Sequence, residues 1–209
     1  MDINYKDRFV VVSEIIKDCL LDIRYYSSFN FVGTRVDGYL EPIAILTKEA
    51  CDKLNEANEI FKKSGYIIKI FDCYRPQKAV NHFVRWVSDV NDIRTKEYFY
   101  PNVNKKDLFD LGFVSKKSGH SRGSTIDLTL VNMKTGESID MGGGFDYFGE
   151  LSHSDYQEIT IEQYNNRLLL RNIMVECGFK TIKSEWWHFT LIDEPFKDTY
   201  FDFDVKKDF

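Results

Sequence analysis

The chain has 209 residues, 28 of them Lys or Arg and 33 Asp or Glu, for a net charge of −5. Its 43% hydrophobic and 29% charged residues are globular values that exclude a disordered or fibrous chain, and the length predicts a single domain over residues 1–209. The mild acidity excludes a sequence-blind nucleic-acid binder, which needs a basic footprint.

At the N-terminus Phe9-Val-Val-Val12 is cut off by Ser13-Glu14, so no apolar leader is expected, and no run approaches the roughly 18 apolar residues of a membrane span. The four cysteines (Cys19, Cys51, Cys73, Cys177) form no CxxC pair and read as reduced, mostly buried residues of a cytoplasmic protein. A helix is predicted over residues 47–64, where Ala50, Leu54, Ala57 and Phe61 recur at helical spacing between a Thr47 cap and Gly65. Residues 66–74 read as a buried strand that Arg75-Pro76 ends. A second helix then runs to about residue 90 with Val80, Phe83, Val84 and Val87 on one face.

Residues 91–117 lack a clean period and predict a long excursion with short helical pieces. Residues 124–130 alternate polar and apolar, as in a half-buried strand, and a hairpin turn follows at 134–137. Gly142-Gly-Gly144 opens a loop but lacks the Lys-Ser/Thr ending of a phosphate-binding loop. Thr160-x-x-Gln163 is a capping-box start for a helix reaching Cys177 and stopped by Gly178, and a last strand is expected over 184–192. Without regular βα alternation, the predicted class is α+β, with an antiparallel central sheet flanked by helices.

Of the four histidines, His82 and His153 have the setting of structural or surface residues. His120 precedes Asp127 by seven residues, with Gly123 between them to bend the chain. On its strand Asp127 shares a face with Thr125 and Thr129. A carboxylate there needs a partner, either a divalent metal or neighbouring hydroxyls. His188 closes Glu185-Trp-Trp-His188. With His120 and Asp127 it makes a three-ligand set that leaves a position open for water, the pattern of catalytic zinc, and Glu185 is then free to act on that water. The alternative is that the two Trp residues are core and Glu185 is solvated. Arg75, at a strand end, either faces developing negative charge or forms a plain salt bridge.

Together Asp72-Cys-Tyr-Arg-Pro76, Ser118-Gly-His-Ser-Arg-Gly-Ser-Thr-Ile-Asp-Leu-Thr-Leu130 and Glu185-Trp-Trp-His188 resemble the zinc D-alanyl-D-alanine dipeptidases known from vancomycin resistance. The resemblance extends from about Asp22 to the Tyr200-Phe-Asp-Phe-Asp204 tail. It implies the zinc D,D-peptidase fold, which hedgehog-type domains share, and hydrolysis of D-Ala-D-Ala by a zinc-activated water. It also implies zinc ligation by His120, Asp127 and His188, a general base in Glu185 and oxyanion stabilisation by Arg75. Tyr25, Ser118 and Asp146 fall at dipeptide-contacting positions, with Asp146 implied to hold the ammonium. Thr125 stands where the family pattern usually has Ala, which bears on pocket size. A D,D-carboxypeptidase acting on peptidoglycan stems would use the same metal chemistry. The 91–117 and 142–155 segments, as material for a lid, favour the dipeptidase. A non-catalytic zinc module would need neither Glu185 nor Arg75.

Overall fold

A computed structural model describes residues 5–209. In chain order the strands are β1 (Phe9–Val11), β2 (Leu20–Leu21), β3 (Ile45–Thr47), β4 (Tyr66–Asp72), β5 (Thr125–Asn132), β6 (Phe179–Thr181) and β7 (His188–Leu191). The helices are α1 (Val12–Ile15), α2 (Lys48–Lys63), α3 (Gln77–Ser88), α4 (Lys96–Phe99) and α5 (Ile161–Glu176). Five strands form one sheet in the order β2-β4-β5-β7-β6, and β1 pairs with β3 in a second, two-stranded sheet. Within the larger sheet only the β2–β4 edge pair is parallel. The fold is α+β, as the sequence predicts. No helix among the described residues is long and apolar enough to cross a membrane.

Local chemistry accounts for the main elements. Thr47 caps α2 by accepting from the Ala50 N–H, and Gly65 takes the left-handed conformation just past its end. The buried stripe of α2, including Leu54, Ala57 and Phe61, joins the same core cluster as Ile68 and Ile70 of β4 and Leu128 and Leu130 of β5. In α5 the Thr160 hydroxyl accepts from the Gln163 N–H while the Gln163 side chain accepts from the Thr160 N–H, a complete capping box. On α3 the buried face is Ala79, Val80, Phe83, Trp86 and Val87, whereas Val84 is only half-buried. Trp86 takes the place in the core expected for Val84 because its ring packs on Phe31 and Tyr100.

Two predictions about strands need correction. The strand predicted over 184–192 is confined to His188–Leu191, because Trp186 and Trp187 form a turn in which the Trp186 N–H donates to the Ser152 carbonyl. β5 is buried on both faces as far as Val131, not half-buried. Its polar alternation marks the chemistry of one face, since Thr125, Asp127 and Thr129 are themselves buried. β1, β2, β3 and β6 have no counterpart in the sequence prediction, being two or three residues long.

The polar face of the sheet is assembled by register. In β4, Ile68 and Ile70 face Leu130 and Leu128 across the pair, but a shift between Ile70 and Asp72 sets Asp72 opposite Asp127. This irregularity turns Asp72 from the apolar face to the polar one, a common use of a β-bulge beside a site. On the other side of β5, His188 pairs with Asp127. Between His120 and Asp127 the chain bends at Gly123, which has φ +85° and whose carbonyl accepts from the Thr47 N–H. A Cβ at Gly123 would run into the Phe9 ring. Gly123→Ala should therefore cost roughly 2–4 kcal/mol, from the left-handed backbone and from overpacking together. Urea unfolding measures this, and a variant as stable as the parent would remove the steric argument.

Candidate metal and active site

His120 sits in a 3₁₀ turn, Gly119–Arg122, capped by the Ser118 hydroxyl, which accepts from the His120 N–H at 3.3 Å. Its Nδ1 lies 2.6 Å from the Cys73 carbonyl. A carbonyl can only accept, so Nδ1 donates here and Nε2 is the ring nitrogen left to face the site. That Nε2 is buried and has no hydrogen-bond partner. A buried polar atom without a partner is costly, and a ring nitrogen left so is suited to meeting a metal ion. Asp127 Oδ2 is 3.2 Å from this atom, and Asp127 Oδ1 is 3.1 Å from Nδ1 of His188. One ligand atom from each of His120, Asp127 and His188 lies within 4.8 Å of the others. Two imidazoles and one carboxylate are a zinc donor set with room for a fourth ligand.

The charges fit one another. Burial opposes ionisation of Asp127, but the imidazoles of His120 and His188 outweigh it and hold the carboxyl below its usual range. Burial likewise opposes a charged His188, yet its hydrogen bonds to Asp127 and Glu185 push its pKa up to about 9.

Around this set lies a cavity of about 240 Å³ lined by all eight residues expected to form the site: Tyr25, Arg75, Ser118, His120, Asp127, Asp146, Glu185 and His188. Glu185 Oε2 is 3.3 Å from His188 Nδ1, and the side chain keeps 27% exposure. It is therefore neither solvated surface nor core, while Trp186 and Trp187 are buried. Arg75 forms the salt bridge that was one of the two alternatives read from the sequence, and it also lines the cavity. Its Nε donates to Asp72 Oδ2 at 2.9 Å, and a terminal nitrogen reaches to 3.5 Å from Asp127 Oδ2. The guanidinium stacks over Tyr25 and Phe83, 4.8 and 5.2 Å from the ring centroids.

Asp146 is the one described non-glycine residue at positive φ, 61°, a conformation held where the surroundings over-determine it. The Tyr25 hydroxyl donates to its Oδ2 at 2.9 Å. Burial, together with the charge of Asp127, pushes the Asp146 carboxyl well above the ordinary range, against the pull of Arg75. Such a carboxyl gains from an incoming cation.

The two segments expected to form a lid meet above the site. Phe113 from the first and Phe148 from the second stack at 5.2 Å, and both line the cavity. Thr125 does not line it, because its hydroxyl pairs with that of Thr190 at 2.9 Å inside the sheet. The departure at this position is thus absorbed by a neighbouring hydroxyl.

Two residues without an assigned role in the sequence reading support the site. Asp72, buried, holds the Arg75 Nε and accepts from the Tyr39 hydroxyl at 2.6 Å. The signal for Asp72 was a carboxylate ending an apolar strand three residues before Arg75. Tyr39 gave none, since its partner is 33 residues away.

The sequence profile of the D-ala-D-ala dipeptidase family matches residues 5–206. The D-alanyl-D-alanine dipeptidase of Streptomyces coelicolor is 44% identical over 197 residues, covering 94% of this chain and 98% of that protein. That of Enterococcus faecium is 41% identical over 198 residues, with 95% and 98% covered. That of Enterococcus faecalis is 43% identical over 197 residues, with 94% and 98% covered.

Proposed function

The chain belongs to the D-ala-D-ala dipeptidase family, and from that premise we propose that it is a zinc metallopeptidase that hydrolyses D-Ala-D-Ala. The observation that carries this reading is one cavity in which a candidate three-ligand metal set, a further carboxylate, an arginine and a buried acidic seat converge. His120, Asp127 and His188 would hold zinc, which when bound polarises a scissile carbonyl and lowers the pKa of water towards about 7.

The remaining work falls to side chains of this chain. Asp146, with Tyr25 donating to it, receives the dipeptide ammonium. Ser118 Oγ accepts from the His120 N–H, so its O–H remains to donate to substrate. Glu185, beside His188, takes the proton of the attacking water and passes it to the leaving amine. Arg75, fixed by Asp72 through Nε, turns its terminal nitrogens to the oxygen that becomes negative. Phe113 and Phe148 keep water from the reacting bond. One continuous buried cluster joins Phe9 to Val205, which supports reading the chain as one catalytic domain. The four free cysteines suit the cytoplasm.

The acidic seat favours a dipeptidase over a carboxypeptidase, because an N-acylated peptide brings no ammonium to Asp146. Release of D-Ala should be fast from D-Ala-D-Ala and at least ~10²-fold slower from N-acetyl-D-Ala-D-Ala, the scale of leaving a buried charge partner unpaired. Comparable rates on the two would favour the carboxypeptidase. Glu185→Ala should retain zinc and fold while turnover falls at least ~10²-fold. Near-normal kinetics in that zinc-replete variant would show that another group takes the proton.

A further inference from the structure

A zwitterionic dipeptide brings a second charge, its terminal carboxylate, and the groups assigned so far give that charge no cation of its own. Two permanent cations line the cavity, Arg75 and Lys117. The first is committed to Asp72 at 2.9 Å, lies 3.5 Å from Asp127 and is sandwiched by rings. The second makes no ion pair among the described residues. Its ammonium lies 4.8 Å from the centroid of the Tyr200 ring, a weak attraction at an exposed site.

We propose that Lys117 is the carboxylate-recognising residue of this site, pairing with the free C-terminus of the dipeptide. The proposal rests on the dipeptidase reading and adds to it the group that selects a free acid.

The backbone around Lys117 is held in place. On one side the Gln77 side-chain amide donates to the Lys116 carbonyl at 3.0 Å, tying the strip to the first turn of α3. On the other side Ser118 caps the turn that carries His120. Lys117 therefore stands three residues before a metal ligand, with a four-carbon stem to span the difference. The terminal carboxylate lies one residue beyond the scissile carbonyl, about 3.8 Å of chain. A lysine suits this place because its ammonium is a mobile point charge that needs no fixed angle. The neighbouring Ser118 hydroxyl can share the same carboxylate. With Asp146 for the ammonium and Lys117 for the carboxylate, the cavity complements both ends of a dipeptide.

The test compares D-Ala-D-Ala with its C-terminal amide in the zinc-loaded parent, Lys117→Met and Lys117→Arg. We expect Lys117→Met to raise KM for the free acid about tenfold, the loss of one charge-assisted contact. Its kcat should stay within about twofold, because the contact is the same in ground and transition states. The amide should be indifferent to the substitution, and Lys117→Arg should restore most of the preference for the acid. An unchanged KM for the acid in Lys117→Met, or an equal loss on acid and amide, would overturn the proposal. No turnover of D-Ala-D-Ala by the parent would instead overturn the dipeptidase reading, and the proposal with it.

Discussion

His188→Ala is expected to bind zinc at least ~100-fold more weakly than the parent and to lose nearly all turnover of D-Ala-D-Ala. On the proposed reading His188 would be one of three ligands, and removal of even an outer hydrogen-bonding partner of a ligand typically costs 10–100-fold in affinity. No neighbour can replace it. Glu185 is the other carboxylate beside Nδ1, and drafting it as a ligand would consume the base. The strand should survive, because Phe189 and Thr190 still pair with Ile126 and Thr125. The imidazole also contributes to the metal-free protein. Its pKa of about 9 lies above the ordinary histidine value of about 6.5. The favourable contact with Asp127 and Glu185 is therefore fully present below pH ~6.5 and fades as pH rises through about 9. Elemental analysis after dialysis, with far-ultraviolet circular dichroism as the folding control, measures the outcome. A full zinc content in the folded variant would remove His188 from the ligand set.

Arg75→Lys should lower kcat by ~10²–10³-fold with little change in KM, the loss expected when a donor aimed at the transition state is removed. The geometry makes this substitution informative. Nε is spent on Asp72, and a different nitrogen reaches towards Asp127 and the cavity. Lysine has one nitrogen and cannot serve both places, so charge is kept while the planar fork is lost. Arg75→Ala is a blunter tool. It strips a buried carboxylate, Asp72, of its cation, and breaking such a pair costs about 3–5 kcal/mol. A lysine variant with parental kcat but lowered stability would leave Arg75 only its salt bridge.

The parts of this site most legible in sequence were those whose chemistry is local. The Thr160 capping box and the Thr47 cap use partners three residues apart, so a linear reading finds them. The bend at Gly123 was readable because only a glycine takes φ +85° beneath the Phe9 ring without strain. His120, Asp127, His188, Glu185 and Arg75 were named by motif, yet their convergence depends on strand register, which has no local signature. Asp72 faces the site only because β4 slips between Ile70 and Asp72, and no property of residues 66–72 taken alone predicts that slip. Tyr39 and the Phe113–Phe148 contact were hidden for the same reason, since each joins segments more than 30 residues apart. The polar alternation of β5 predicted a solvated face and in fact marked a buried one. The polar residue there is buried against partners, with Asp127 held between two imidazoles.

The central claim, that one zinc held by His120, Asp127 and His188 makes this chain a D-Ala-D-Ala hydrolase, is tested most directly by titrating zinc into metal-free protein while recording D-Ala release. Activity should start near zero, rise in proportion to added zinc and break at one equivalent per chain, with no such rise in His188→Ala. Turnover by the metal-free protein, or the same rise in the His188 variant, would contradict it.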